Sequence, residues 1–468
     1  MGNAGIKNSQ KNATYMSIVR TVAKGIAWNT AAAGVGKILV VFNLFIILRT
    51  LSVYEYGLSE LVLSVVSMLS ILLLPGLGTA IIADMAYEKT RGDASHARSL
   101  LIQFYILSFV LGVVAWAVLF FGSGVAADLV GNPTISTFLK IVSFLFLLSP
   151  MRMVTTILAT VERRFADQAF FGVVEEMFKA VGLLFFLVYL GHTVDGLLYA
   201  SVLGQACAIV VFLPRTFSAF TQLSGRGGSY KFWNILHQHR KWSIAGTYVS
   251  SLTQTVQIWL IRMVLGTEAV GLYSVAAGVL SQVSTLLPFG TILAPIVPAY
   301  VHMKNHLCRL IVAALKIQTA LAASLYIVTI ASLPLFVIIF PHYRGSAWMI
   351  PILLIGLLPL GFLSITGPVF AALKEQRSFV ESAGLKLVLT TICFPIGMLV
   401  FGLTGLAIAN VFVLCVSAVE RWMRLSRISP ELTIRLSDLI HVSGEERKHA
   451  EILLKSFINK LRIRPHAS

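Results

Sequence analysis

The chain alternates long apolar runs with short polar breaks, and the runs share one length. Twelve of them can be marked, at 25–48, 58–86, 100–121, 136–160, 168–190, 195–214, 243–265, 271–300, 311–340, 348–373, 381–401 and 403–423. Each is long enough for a helix to cross a bilayer core, which takes about 20 residues. Strict apolar and polar alternation is missing, so the pattern predicts helices and not strands. The breaks sort by charge. The leader, every second break and the segment from Arg421 onward hold 28 of the 37 Lys and Arg residues, whereas the opposite breaks hold only Arg49 and Arg344. The positive-inside rule then puts both termini in the cytoplasm, and an even number of spans satisfies it.

Polar residues inside the runs are the candidate chemistry. Lys37 stands in the run Gly25 to Leu48, about 17 Å from either end at helical rise, too far for its stem to snorkel to water. Its local sequence, Gly34-Val-Gly-Lys37, ends like a phosphate-binding loop. However, Ala31 stands where that loop needs glycine, Ile38 where it needs Ser or Thr, and no strand precedes it. A lysine at that depth faces a wet cavity or a packed neighbour. Asn29, Ala33, Gly36, Val40 and Asn43 give the same helix a small, polar face. In the seventh run Thr247, Ser250, Ser251, Gln254 and Gln257 recur at helical spacing, a stripe that lines a cavity or binds a neighbouring helix.

Arg152 follows Pro150 in the fourth run, where a cavity role and a local ion pair are both open readings. Glu175 and Lys179 are spaced i and i+4 and are expected to neutralise each other, which leaves Glu176 as the carboxylate free to carry a proton. Lys386 is a candidate partner from the other end of the chain. Arg49, Lys140, Arg262 and Lys316 lie near run ends and are read as snorkelling. His302 and His306 have metal-ligand spacing without a visible third ligand, and His237 with His239 fare no better. No metal or cofactor is expected. Asn12-Ala-Thr14 fits a glycosylation sequon but falls on the cytoplasmic side.

The chain also repeats itself. Shifted by 214 residues, Gly57-Leu58, Ser67, Ser70, Leu72-Leu73 and Gly76 meet Gly271-Leu272, Ser281, Ser284, Leu286-Leu287 and Gly290. Glu162 and Arg164 match Glu375 and Arg377, and Gly196-Leu197 with Ala200 matches Gly405-Leu406 with Ala409. The matches keep their order, as a duplication would. Six spans per repeat give both halves one orientation, and a substrate site is expected between them. The expected organisation is a cytoplasmic leader at 1–24, a six-helix bundle at 25–214, a basic linker at 215–242, a second bundle at 243–423 and a basic amphipathic tail at 424–468.

Composition narrows the class without changing this plan. A chain that is 57% hydrophobic and 12% charged cannot bury its apolar surface in soluble domains, so it is read as an integral membrane protein. The net charge of +17 follows from topology and gives no reason to invoke nucleic acid. The four cysteines form no CxxC and suggest neither disulfides nor zinc. No cleavable signal peptide is read in the leader. In the tail, Ala450, Leu453, Leu454, Phe457 and Leu461 form an apolar helical face, suited to anionic headgroups or to packing on protein.

Three segments carry a family resemblance: GIAWNT at 25–30, ILRTLSVYEYGLSELVLS at 47–64 and LLLPGLGTAI at 72–81. Together they resemble the opening of the polysaccharide transporter family, the O-antigen and exopolysaccharide flippases of the multidrug/oligosaccharidyl-lipid/polysaccharide (MOP) exporter superfamily. The resemblance implies an all-α polytopic protein with two pseudo-symmetric six-helix bundles around a central cavity. It also implies ion-coupled alternating access in a bacterial inner membrane, with a polyprenyl-pyrophosphate-linked oligosaccharide as cargo. Other membrane proteins of polysaccharide assembly are candidate partners. On this reading Lys37 and Arg152 are the cavity cations, Asn29, Thr247, Ser251, Gln254 and Gln257 the polar lining, and Glu175, Glu176, Lys179 and Lys386 the ion-coupling candidates. An integral-membrane polymerase or ligase would need larger loops on the outer side. A multidrug exporter of the same superfamily is the other alternative, and its cationic drugs favour a carboxylate-lined cavity.

Overall fold

The computed structural model describes residues 34–73, 75–91, 94–162, 164–223, 241–294, 296–300, 303–373 and 375–432. The leader and the start of the first run with Asn29, the linker over 224–240 with His237 and His239, His302 and the part of the tail from 433 lie outside the described residues. Every regular element among the described residues is helical. In the first half these are α1 (34–50), α2 (Val53–Leu69, continued by a 3-10 turn to Leu73), α3 (Pro75–Thr90), α4 (Ala94–Val130), α5 (Thr134–Val161), α6 (Phe165–Leu183, continued by a π turn to Tyr189) and α7 (Val194–Gln222). The second half has α8 (Lys241–Leu265), α9 (Thr267–Thr285), the short α10 (Phe289–Leu293) and α11 (Val297–Tyr300), then α12 (Lys304–Ile339), α13 (Arg344–Ile355), α14 (Leu357–Ala372) and α15 (Gln376–Ile428).

Each expected span has its helix, with instructive differences. The second span leaves the α-helix for a 3-10 turn at Ser70–Leu73, and its counterpart, the eighth, breaks at Leu286 to Pro288, so the duplicated positions share a departure from regular helix. The last two spans are one 53-residue helix by hydrogen bonding, yet Gly402 at φ 58° turns the chain back on itself. Gly397 and Gly405 then face each other so closely that a Cβ on either would collide with the other's backbone. The sixth span runs past its expected end at 214 to Gln222, because Pro214 disturbs a helix without stopping it, and Arg215 then pairs with Asp167 at 3.3 Å.

Local chemistry sets the turns. Ser52 and Glu55 form a reciprocal capping box between α1 and α2, which satisfies two orphan donors in a two-residue connection. Pro150 in α5 lacks an N–H for the carbonyl of Phe146, and Gly112 of α4 packs against that carbonyl.

Six of the described helices are long and apolar enough to cross a membrane, and the bent pair Pro341–Ile355 and Leu357–Ala372, at 48°, makes a seventh. The helices that fall short include α6 and α8, which carry the half-buried carboxylates Glu175 and Glu176 and the glutamine stripe. Their low apolarity marks the faces turned away from lipid. By contrast α12 is almost wholly exposed, with only 6% of its most apolar stretch buried, as a lipid-facing helix should be.

The halves meet at the ends of α2 and α9 that lie away from the basic breaks. There Gly57 and Gly271 are related by the repeat, and so are Val53 and Thr267. A Cβ on Gly57 would collide with the Thr267 carbonyl, and one on Gly271 with the Val53 carbonyl. This reciprocal contact is what a twofold relation between two copies of one unit produces. Around it Ile46, Leu48 and Tyr56 of the first half share a buried cluster with Val275 and Tyr343 of the second. The Tyr343 hydroxyl donates to the carbonyls of Leu51 at 3.0 Å and Ser52 at 3.2 Å, and Arg49 donates to Ile339 O at 3.0 Å.

Candidate functional site: two polar cavities, one in each half

The first-half cavity, of about 520 Å³, is bounded by α1, α5 and α6. Lys37, Arg152, Glu175 and Glu176 all reach its wall, along with Gln168 and Gly172. Lys37 makes no ion pair among the described residues. Arg152 both faces the cavity and pairs locally: its Nη2 lies 3.1 Å from Glu175 Oε2, with the arginine half-exposed and the glutamate only 18% exposed. Asn43 of α1 is 2% exposed and donates its amide to Glu176 twice, to Oε2 at 2.8 Å and to the backbone carbonyl at 3.1 Å. Asn43 thus ties α1 to α6.

The pairing read from spacing is corrected here. Glu175 pairs with Arg152 and not with Lys179, because α5 packs beside α6 and offers a guanidinium at closer range. Lys179 lies outside the lining of either cavity and acts on Glu175 through space. It acts in the same way on Glu60 of α2, a carboxylate the hydropathy pattern hid among apolar neighbours.

The second-half cavity is larger, about 610 Å³, and is enclosed by α8, α9, α14 and both arms of α15. Gln254 and Gln257 line it, and Ser250 and Thr253 join them. Ser251 does not, and Thr247 lines an adjoining space of about 440 Å³ nearer the start of α8. The two spaces share Ser250, Gly367 and Phe379, so the cavity continues toward the basic-rich end of the molecule. Lys386 is on the wall of this cavity. It is therefore no partner for Glu175 or Glu176, which line the other half's cavity.

Its companion is Arg421, which stands at the end of the twelfth run and which the charge count groups with the basic C-terminal segment. The return arm of α15 carries Arg421 into the protein, where it is 7% exposed. Its Nη1 donates to Leu363 O at 2.9 Å, its Nε to Ser382 Oγ at 3.4 Å, and its guanidinium stacks 4.8 Å over the Phe379 ring. The signal that would have exposed it is the turn at Gly402, which pairs residue 421 with residue 382. No aspartate or glutamate is among the residues lining this cavity. Two fixed cations in a low-dielectric wall without a counter-charge attract an anion. The first-half cavity is balanced by comparison, with two cations and two carboxylates. His306 is exposed, and no group of three or more His, Cys, Asp or Glu among the described residues is placed to hold a metal.

The sequence from residue 46 to 354 matches a family described as polysaccharide biosynthesis protein. The chain belongs to that family. No curated protein matches it. The fold recurs in solved structures at low identity. One is an inward-facing multidrug resistance MATE family transporter of the MOP superfamily, with a TM-score of 0.71 at 16% identity over 86% of this chain and 99% of that one. Another is a MOP superfamily transporter from Pyrococcus furiosus, described as having a binding pocket of reverse polarity, with a TM-score of 0.64 at 15% identity over 86% and 96%. A third is the Vibrio cholerae MATE transporter in a bent form, with a TM-score of 0.56 at 15% identity over 87% and 100%. The polysaccharide biosynthesis protein described here therefore has the two-bundle fold of MOP superfamily transporters.

Proposed function

We propose that the protein is a flippase that carries a polyprenyl-pyrophosphate-linked oligosaccharide across a bacterial inner membrane, for surface polysaccharide synthesis, by alternating access. The observation that carries this reading is the second-half cavity, where Lys386 and Arg421 face a polar space with no carboxylate on its wall. A pyrophosphate is the anion that such a wall recognises, and the family description supplies the polysaccharide context. The closed end, around Gly57, Gly271 and Tyr343, faces the periplasm on this reading, and the cavities open toward the cytoplasm, where both termini lie. Glu175 and Glu176 of the charge-balanced first-half cavity are the groups through which an ion gradient drives the cycle. Other membrane proteins of polysaccharide assembly are its partners.

A multidrug exporter is the second reading, since the relatives in solved structures include multidrug transporters. It is less favoured because Arg152 already neutralises Glu175 and the larger cavity is cationic. Deletion of the gene is expected to accumulate a lipid-linked oligosaccharide in the cytoplasmic leaflet, identified by mass spectrometry. Lys386→Arg should relieve that accumulation and Lys386→Gln should not, at equal protein levels. Normal surface polysaccharide in the deletion strain would overturn the assignment.

A further inference from the structure

The second-half cavity is not uniform along its depth. Arg421, Ser382 and Phe379 lie toward its basic-rich end, the mouth on the proposed orientation, where it continues into the adjoining space, with Lys386 about a turn further along. The return arm of α15 then continues to Asn410, roughly 16 Å beyond Arg421 at about 1.5 Å per residue. On α8 and α9, Gln257 and Tyr273 flank the Gly266 turn at similar distances, so they stand at about the same level near the closed end. Here the wall is polar but uncharged. The Asn410 amide donates to the Tyr273 hydroxyl oxygen at 2.5 Å. Both residues are nearly buried, yet both line the cavity. The tyrosine's own proton has no acceptor among the described residues.

We propose that this floor, formed by Tyr273, Asn410 and Gln257, is a subsite for the first sugar of the ligand whose phosphates Lys386 and Arg421 hold. The proposal rests on the anion-binding reading above and assigns it a direction: phosphate toward the mouth, glycosyl unit at the closed end. The chemistry of the donors separates the two levels. Lysine and arginine side chains only donate, which suits phosphate oxygens and nothing that must also be accepted. Amides and a phenol both donate and accept, and a sugar hydroxyl or acetamido group needs both. A buried donor left without a partner costs free energy at this depth. A ligand hydroxyl that accepts from Tyr273 removes that cost, and Gln257 stands on the facing helix to take or give a second bond. A purely structural pair would join α9 to α15 and show no preference between ligands.

The test uses the purified full-length protein and two probes, a polyprenyl pyrophosphate and the same lipid carrying one N-acetylhexosamine, with binding read by native mass spectrometry. The wild type is expected to prefer the glycosylated lipid by about tenfold, the worth of one or two net hydrogen bonds. Tyr273→Phe and Gln257→Leu should each bring that preference to within about twofold and leave affinity for the bare lipid unchanged. If Tyr273→Phe fails to accumulate, Gln257→Leu carries the test, since Gln257 has no part in the Tyr273 to Asn410 bond. Lys386→Gln should weaken both lipids alike. Should both floor variants keep the wild-type preference, or the wild type bind the two lipids equally while Lys386→Gln still weakens both, the sugar subsite is overturned and the anion reading stands. Binding of neither lipid by the wild type would remove the anion reading, and the subsite with it.

Discussion

At the scale of single residues, three cations inside the membrane behave differently because their partners differ. Arg152 has a carboxylate at 3.1 Å, Arg421 has a carbonyl, a hydroxyl and an aromatic face, and Lys37 has no ion-pair partner among the described residues. A lysine kept without a counter-charge at bilayer depth costs roughly 2.5 to 3.5 kcal/mol on insertion scales, so Lys37→Gln should raise accumulation or leave it unchanged. If Lys37 meets the pyrophosphate, the same variant should lose transport by roughly tenfold or more, the worth of a charge-assisted hydrogen bond, while Lys37→Arg retains most of it. Surface polysaccharide restored to a deletion strain, normalised to membrane protein, decides the matter. Full restoration by Lys37→Gln would leave the cationic cavity to Lys386 and Arg421. For Arg421, replacement by Lys keeps the charge but loses the planar stack on Phe379 and one of two directed bonds. Arg421→Lys is therefore expected to keep part of the activity and Arg421→Met none, in the same complementation assay.

At the scale of elements, the glycines decide how closely helices approach. Gly57 and Gly271 allow α2 and α9 to cross with backbone against backbone, and no side chain fits there while that end is closed. Gly271→Leu should therefore favour the alternative state, open at that end. A cysteine at Ser281, on the wall of the second-half cavity, should then react faster with an impermeant thiol reagent added from outside intact cells. An unchanged rate would show that the crossing does not control access. Tyr343→Phe is a milder version. It removes a hydroxyl shared between two carbonyls and should shift the equilibrium by about 1 kcal/mol, or roughly fivefold, in the same direction. The glycine pair was already visible as the first match of the internal repeat. That the two copies touch each other was not visible, because self-similarity gives correspondence and not proximity.

At the scale of the whole molecule, the two halves must move relative to one another if the cargo is to cross. The contacts at the closed end join Leu51 and Ser52 of one half to Tyr343 of the other, and the α1 end to the α12 end through Arg49 and Ile339. Cysteines placed at Ser52 and Tyr343 in a background without native cysteines, bridged by a bis-maleimide, should abolish transport, while either single variant treated alike retains it. Transport by the bridged protein would mean that the halves need not part at this end. The linker between the halves has its own check. Ser224→Cys should stay unlabelled by an impermeant reagent in intact cells, because the segment from Arg215 to Lys241 holds five basic residues and no acidic one.

The sequence alone marked the spans, their number and the duplication, and gave the orientation expected from charge. Each of these depends on a quantity read along the chain: apolar length against bilayer thickness, loop charge and register between copies. It also marked Lys37, Arg152, Glu175, Glu176 and the α8 glutamines, because a polar group in an apolar run is conspicuous wherever the chain goes. Only the tertiary structure decided who faces whom. Glu175 found Arg152 across a helix interface in place of Lys179 on its own helix. Lys386 left the carboxylates for another cavity, and Arg421, counted along the chain only as one of the C-terminal basic residues, joins it there because one glycine with positive φ folds the last helix back. Electrostatic partners are chosen by distance through space, and along a helix hairpin that distance is set by the turn, which hydropathy does not record.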